Sequence, residues 1–235
     1  MKLIVIAVCR NEEKILPWFL RHYLQFADEI HIHDNSSTDN SRSIIISHPK
    51  TKIITYNTNG KIDDNIHISI KNEYYKSLNA DWYIIVDMDE FIWCPNLHDY
   101  LKKCQVDNIT LPKITGYEMI GDGWPKNDGE NQLIDHIQYG VKEPWFDKFV
   151  IVHKSVDIRY YPGAHQCNPV GGNTIESPIK LLHYKFADLP TRLVKSKNTV
   201  VNLSEYNQKT FSQSSLAEQE AKQYELWKEK RVKII

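Results

Sequence analysis

The first ninety or so residues alternate short apolar runs with amphipathic stretches, and this alternation restricts the fold more than any other feature of the chain. Leu3-Ile4-Val5-Ile6-Ala7-Val8 is continuous and rich in β-branched residues, as in a strand buried on both faces of a parallel sheet. Ile15, Leu16, Phe19, Leu20, Tyr23 and Phe26 follow at a spacing of roughly 3.6 residues, which predicts a helix. Residues 29–33, 52–56 and 82–86 read as further strands. Between them lie helical patterns carrying Ile44, Ile45 and Ile46, then Ile66, Ile70 and Tyr74. Such a repeat predicts an α/β, doubly wound sheet whose ligands sit beyond the carboxyl ends of the strands. Asn11, Asp34 and Asp87 all fall at such ends.

Beyond about residue 107 the regularity loosens. Ile109-Thr110-Leu111-Pro112 and Phe149-Val150-Ile151-Val152 predict strands, and the Gly-, Trp- and Asp-containing loop over 121–132 has the length of a substrate-facing segment. Residues 215–231 are charged and helical in propensity, with Leu216, Tyr224 and Trp227 as apolar anchors. Glu218, Glu220, Glu225 and Glu229 offset the lysines there, so the helix is expected to dock on its own domain and not on a membrane.

The fourth predicted strand runs straight into Asp87-Met88-Asp89-Glu90. Like charges this close raise one another's pKa and cost desolvation, a conflict that a bound cation removes. Hard oxygen ligands of this kind suit Mg²⁺ or Mn²⁺. The plainer reading is an acidic turn that caps a helix or is solvated. Its place after an apolar strand and before Phe91-Ile92-Trp93 argues against simple exposure. Neither GxGxxG nor GxxxxGK[ST] occurs, which leaves a metal with nearby Lys or Arg as the means of holding a diphosphate.

Lys and Arg total 29 against 30 Asp and Glu, a net charge of −1 that provides no broad field for nucleic acid. Cys9, Cys94, Cys104 and Cys167 are scattered without a CxxC pair, so neither a zinc site nor a disulfide framework is indicated and a reduced, cytoplasmic setting is expected. The opening apolar run is too short for a signal-peptide core, and no stretch has the length to span a bilayer, although peripheral membrane contact stays compatible.

Ala7-Val8-Cys9-Arg10-Asn11-Glu12, Asp34-Asn35-Ser36-Ser37-Thr38-Asp39 and Asp87-Met88-Asp89-Glu90-Phe91 together resemble the GT-A glycosyltransferases, specifically the family 2-like enzymes. Phe146-Asp147-Lys148, Pro162-Gly163-Ala164-His165 and Leu182-His183-Tyr184-Lys185 resemble that group's later blocks. The resemblance implies a Rossmann-like mixed sheet flanked by helices in a single domain over 1–210. A nucleotide-sugar-binding half would cover 1–105, an acceptor and metal-completing half 106–210, and a helical tail 211–235. It further implies inverting transfer from a nucleotide-sugar donor, a UDP-sugar, to a glycan, lipid-linked or other hydroxyl acceptor.

By the same resemblance Asp34 reads the nucleobase, Asp87 approaches ribose and metal, Asp89 coordinates Mn²⁺ or Mg²⁺, and His183 completes the metal site. Asn11 belongs with the donor-binding turns, and Lys148 and Lys185 are candidates for the diphosphate. Asp147 is the expected general base, with His165 and Glu118 behind it. Trp124, Trp145 and Tyr161 offer flat faces to a sugar ring, or else belong to the core. A haloacid-dehalogenase-like phosphatase also uses a strand-end DxD with Mg²⁺, but that family places it after the first strand. A sugar-nucleotide-binding module without activity is the non-enzymatic alternative.

Overall fold

A computed structural model describes residues 1–204, 207 and 216–235 of the protein. The wholly apolar strand β1 (Leu3–Cys9) pairs in parallel with β2 (Glu29–Asp34) on one side and β4 (Trp82–Asp87) on the other. β3 (Thr51–Thr55) extends this sheet beyond β2, and β8 (Ile151–His153) closes its other edge antiparallel to β4, in the order β3-β2-β1-β4-β8. The parallel register aligns Cys9 with Asp34 and Val8 with Asp87, so the turns leaving β1, β2 and β4 share one rim.

Helices return the chain between these strands. α1 (Leu16–Tyr23) carries Pro17 in its first turn, where the missing N–H is not needed, and buries Trp18, Phe19, Leu20 and Tyr23 against the sheet. Each such side chain contributes about 1.5–3 kcal/mol through apolar area removed from water. α2 (Ser41–Ile46) follows β2. At the start of α3 (Asp64–Glu73), Asp63 accepts hydrogen bonds from the backbone N–H groups of Asn65 and Ile66 at 3.0 and 3.3 Å.

A second sheet holds β5 (Glu90–Trp93), β6 (Leu111–Ile120), β7 (Tyr139–Lys142), β9 (Thr174–Phe186) and β10 (Val232–Lys233), in the order β10-β7-β6-β9-β5. The strands expected at 109–112 and 149–152 fall at β6 and β8. β9, which has no clean alternation, is found only in the structure. Its Pro178 lies within the register shift between the Lys113–Glu176 and Thr115–Lys180 pairs, where the missing donor breaks no ladder bond. The remaining helices are α4 (Leu97–Val106), the single turn α5 (Leu133–His136), α6 (Leu189–Val201) and α7 (Leu216–Lys230).

Ser215 and the 210/211 boundary lie outside the described residues. α7 itself packs on the domain: the Tyr224 hydroxyl donates to the Gly121 carbonyl at 2.7 Å, and the Trp227 ring meets Phe186 edge-on at 5.7 Å. Among the described residues no helix is long and apolar enough to cross a membrane.

Two features of this packing are directly testable. β6 passes so close to the turn at Pro144–Phe146 that a Cβ on Gly116 would lie 2.4 Å from the Phe146 backbone. Gly116→Ala is therefore expected to lower stability by about 1–3 kcal/mol in urea denaturation, with an unchanged midpoint refuting the close approach. His22 is buried and donates from Nε2 to the Ile92 carbonyl at 2.9 Å; burial holds its pKa down at about 4, against about 6.5 in an unfolded chain. The unfolded state thus takes up the proton first as pH falls. Stability that is complete above pH ~6.5 should drop by up to about 3 kcal/mol toward pH ~4, and less steeply in His22→Leu.

Candidate active site at the strand ends

The rim formed by β1, β2 and β4 opens into a cleft of about 990 Å³. Its floor is the turn between β4 and β5, which carries Asp87, Asp89 and Glu90. The second sheet completes that floor through register alone. β5 pairs with β9 so that Glu90 faces His183, and β6 pairs with β9 so that Glu118 faces His183 from the other side. The Tyr184 N–H donates to the Asp89 carbonyl at 2.7 Å and ties the turn to β9.

His183 Nδ1 lies 2.7 Å from Glu118 Oε2, and its Nε2 lies 3.6 Å from Asp89 Oδ1. Burial opposes a charge on this imidazole, but Glu118 and Asp89 outweigh it and push the pKa up to about 10. Burial also opposes ionisation of Asp89, yet His183, with Lys195 and Arg192 behind it, holds that carboxyl well below the usual carboxylate range. Asp87 is 42% exposed at its side chain and takes Lys71 Nζ at 2.7 Å. Despite the penalty of burial, Lys71 and Lys148 pull it down to about 2.

Among the described residues no group of three or more His, Cys, Asp and Glu side chains is disposed to hold a metal unaided. The donor set toward the cleft is the Asp89–His183 pair, with Glu118 held on the far imidazole nitrogen. A carboxylate behind a ligating histidine is the outer contact that orients such a ring. Two protein ligands match Mg²⁺ or Mn²⁺ bound jointly with phosphate oxygens and water.

The other sequence-predicted residues divide sharply. Asn11 lines the cleft in a left-handed conformation (φ 52°), and its side-chain oxygen accepts from the Thr38 N–H at 2.8 Å, joining the turns after β1 and β2. Lys148 is nearly buried under the floor, paired with Glu90. Lys185 faces the cleft but gives its ammonium to Glu220 of α7 at 2.9 Å.

Asp34 does not reach the cleft: it is fully buried, bound to Arg42 at 2.5 Å and to the Ser37 N–H at 3.3 Å. The residue that lines the cleft is its neighbour Asn35, just past the end of β2. Asp147 is likewise absent from the cleft wall. Its Oδ1 accepts the Gly116 N–H at 2.8 Å and pins the Pro144–Phe146 turn to β6. Glu118 is held behind His183 and also lies away from the wall.

His165 does line the cleft, tilted over Trp145 with ring centroids 4.9 Å apart. Its Nδ1 lies 3.2 Å from the Trp145 carbonyl, which can only accept; Nδ1 therefore carries the proton and Nε2 presents a lone pair. Burial, reinforced by Lys148, holds this histidine at about 4 and hence neutral near pH 7. Trp145 is 57% exposed beside it, and Trp124 also lines the cleft.

Several cleft residues had no sequence signal. Tyr56 and His67 also line the cleft, with a buried hydroxyl and a buried Nε2 that have no hydrogen-bond partner among the described residues. Arg192 and Lys195 project from α6, with Lys195 Nζ 2.5 Å from Glu12. Nothing in a lone lysine or arginine of a charged helix marks it as a cleft residue before the helix is docked.

No protein-family model matches the chain, and no curated protein matches it in sequence. Among solved structures it is similar to residues 1–349 of S. aureus TarS, at a TM-score of 0.53 and 15% identity, over 87% of this chain and 66% of that one. The TarS complex with UDP-GlcNAc matches at 0.52 and 16%, over 86% and 66% of the two chains. The complex with UDP matches at 0.52 and 16%, over 87% and 67%. The chain thus spans about two thirds of the TarS structure it resembles, and at this identity the likeness establishes the fold, a GT-A arrangement of parallel and antiparallel strands flanked by helices.

Proposed function

We propose that this protein is a family 2-like glycosyltransferase that moves a sugar, with inversion, from a UDP-sugar to a glycan, lipid-linked or other hydroxyl acceptor. The observation that carries the reading is the composition of the cleft. One side presents the Asp87, Asp89 and His183 floor, the other the cationic face of α6, at the strand ends of a fold shared with a protein solved with UDP-GlcNAc and UDP.

Asn35, Tyr56 and His67 form the end that would receive the nucleoside, where the Tyr56 hydroxyl and His67 Nε2, without partners among the described residues, would meet polar groups of a ligand. Asp89 and His183 would hold Mn²⁺ or Mg²⁺, which when bound stabilises negative charge developing on the diphosphate. His183 must give up its proton to serve as ligand, so low pH competes with the metal. Lys71 keeps Asp87 ionised and directed at the same place. Arg192 and Lys195 meet the diphosphate from the α6 side.

The acceptor hydroxyl needs a base on the face opposite the leaving group. His165 has the free Nε2 lone pair and the cleft position that Asp147 lacks, and it takes that role here. Trp145, exposed beside it, offers an apolar face to the acceptor ring.

UDP with Mn²⁺ is expected to raise the melting temperature by several degrees at about a hundredfold excess over Kd, equivalent to about 2.7 kcal/mol. Asp89→Asn should remove the Mn²⁺-dependent part of that rise while melting cooperatively. Absence of any shift with uridine, guanosine or cytidine diphosphates would overturn the transferase reading. His165→Gln should lower kcat about 10²-fold or more with the UDP shift intact. Turnover like that of the unaltered protein would exclude His165 as the base.

A further inference from the structure

α7 lies behind the cleft wall, and its one buried carboxylate makes contacts out of proportion to a surface helix. Glu220 is 5% exposed. It accepts from Arg192 Nε at 3.0 Å and from a second guanidinium nitrogen, Nη2, at 2.6 Å, a two-point grip that fixes the plane of the group. It also accepts from the Ser196 hydroxyl and from Lys185 Nζ at 2.9 Å. One carboxylate therefore joins α6, β9 and α7.

Among the described residues, Arg192 and Lys185 share the one carboxylate of Glu220 as ion-pair partner, and both line the cleft while Glu220 does not. Arg192 and Lys185 are 15% and 28% exposed at their side chains, so each keeps some surface accessible beyond its contact with Glu220.

We propose that Glu220 is a positioning residue that holds Arg192 and Lys185 on the cleft wall, where they receive the diphosphate of a nucleotide donor and the charge it gains on departure. This rests on the transferase reading above and assigns to the C-terminal helix a part in donor binding. A long arginine or lysine left unrestrained would lose rotamer freedom on each binding event. The buried carboxylate fixes both before the ligand arrives.

The test compares two probes, UDP and uridine, each titrated by NMR into the full chain with Mn²⁺. Glu220→Gln keeps the size of the side chain and removes its charge. The proposal expects UDP affinity to fall about tenfold while uridine affinity stays within about twofold, because only UDP carries the diphosphate. A structural role for Glu220 alone would weaken both probes together or neither, and either result overturns the proposal. If Glu220→Gln has no cooperative melt, Glu220→Asp decides by the same criterion, with a smaller loss confined to UDP as the supporting result. If the unaltered protein binds uridine and UDP equally, the diphosphate wall fails while nucleoside binding survives. If it binds neither, the transferase reading fails with it.

Discussion

A buried imidazolium between two carboxylates holds the site together. Glu118 is 1% exposed, and a carboxylate so deeply placed is tolerated only with a partner. His183 supplies that partner at one nitrogen and meets Asp89 at the other. The three residues lie on β6, on β9 and in the turn after β4, so one charged row fastens the second sheet to the rim of the first. The geometry of Asp87, the seat of Lys148 on Glu90 and the approach of Phe146, whose ring centroid is 4.2 Å from that of His183, all depend on this row staying in register.

The same economy of charge recurs around the cleft. Lys71 is set on Asp87, Lys148 on Glu90, Lys195 on Glu12, and Arg192 with Lys185 on Glu220. Each pair restrains a flexible cation before any ligand arrives, the arrangement that makes fixed charges effective in a site partly closed to water.

The legibility of these parts followed the range of the interactions behind them. Asp87 and Asp89 could be read because their setting is local: an apolar strand, an abrupt carboxylate turn, then Phe91. Asp34 shows the limit of such reading. It sits at a strand end, but its carboxylate is buried on Arg42, a contact made only once α2 is packed, and Asn35 beyond β2 lines the cleft. The hydrogen bond from the Gly116 N–H to Asp147 joins positions far apart in the sequence, and no local pattern announces that contact. β9 escaped because a strand that is exposed at one end, buried at the other and interrupted by Pro178 has no clean period of two.

What the sequence determined by itself was the first sheet and the carboxylate rim, since β-branched runs and helical stripes specify which segments must be buried together. What only the tertiary structure decided was which charges meet. The His183 row depends on the pairing of β6, β9 and β5, and the cationic wall on α7 docking through Tyr224 and Glu220. Those contacts join residues separated by tens of positions. Their partners are fixed by sheet register and helix packing, properties that a one-dimensional pattern does not contain.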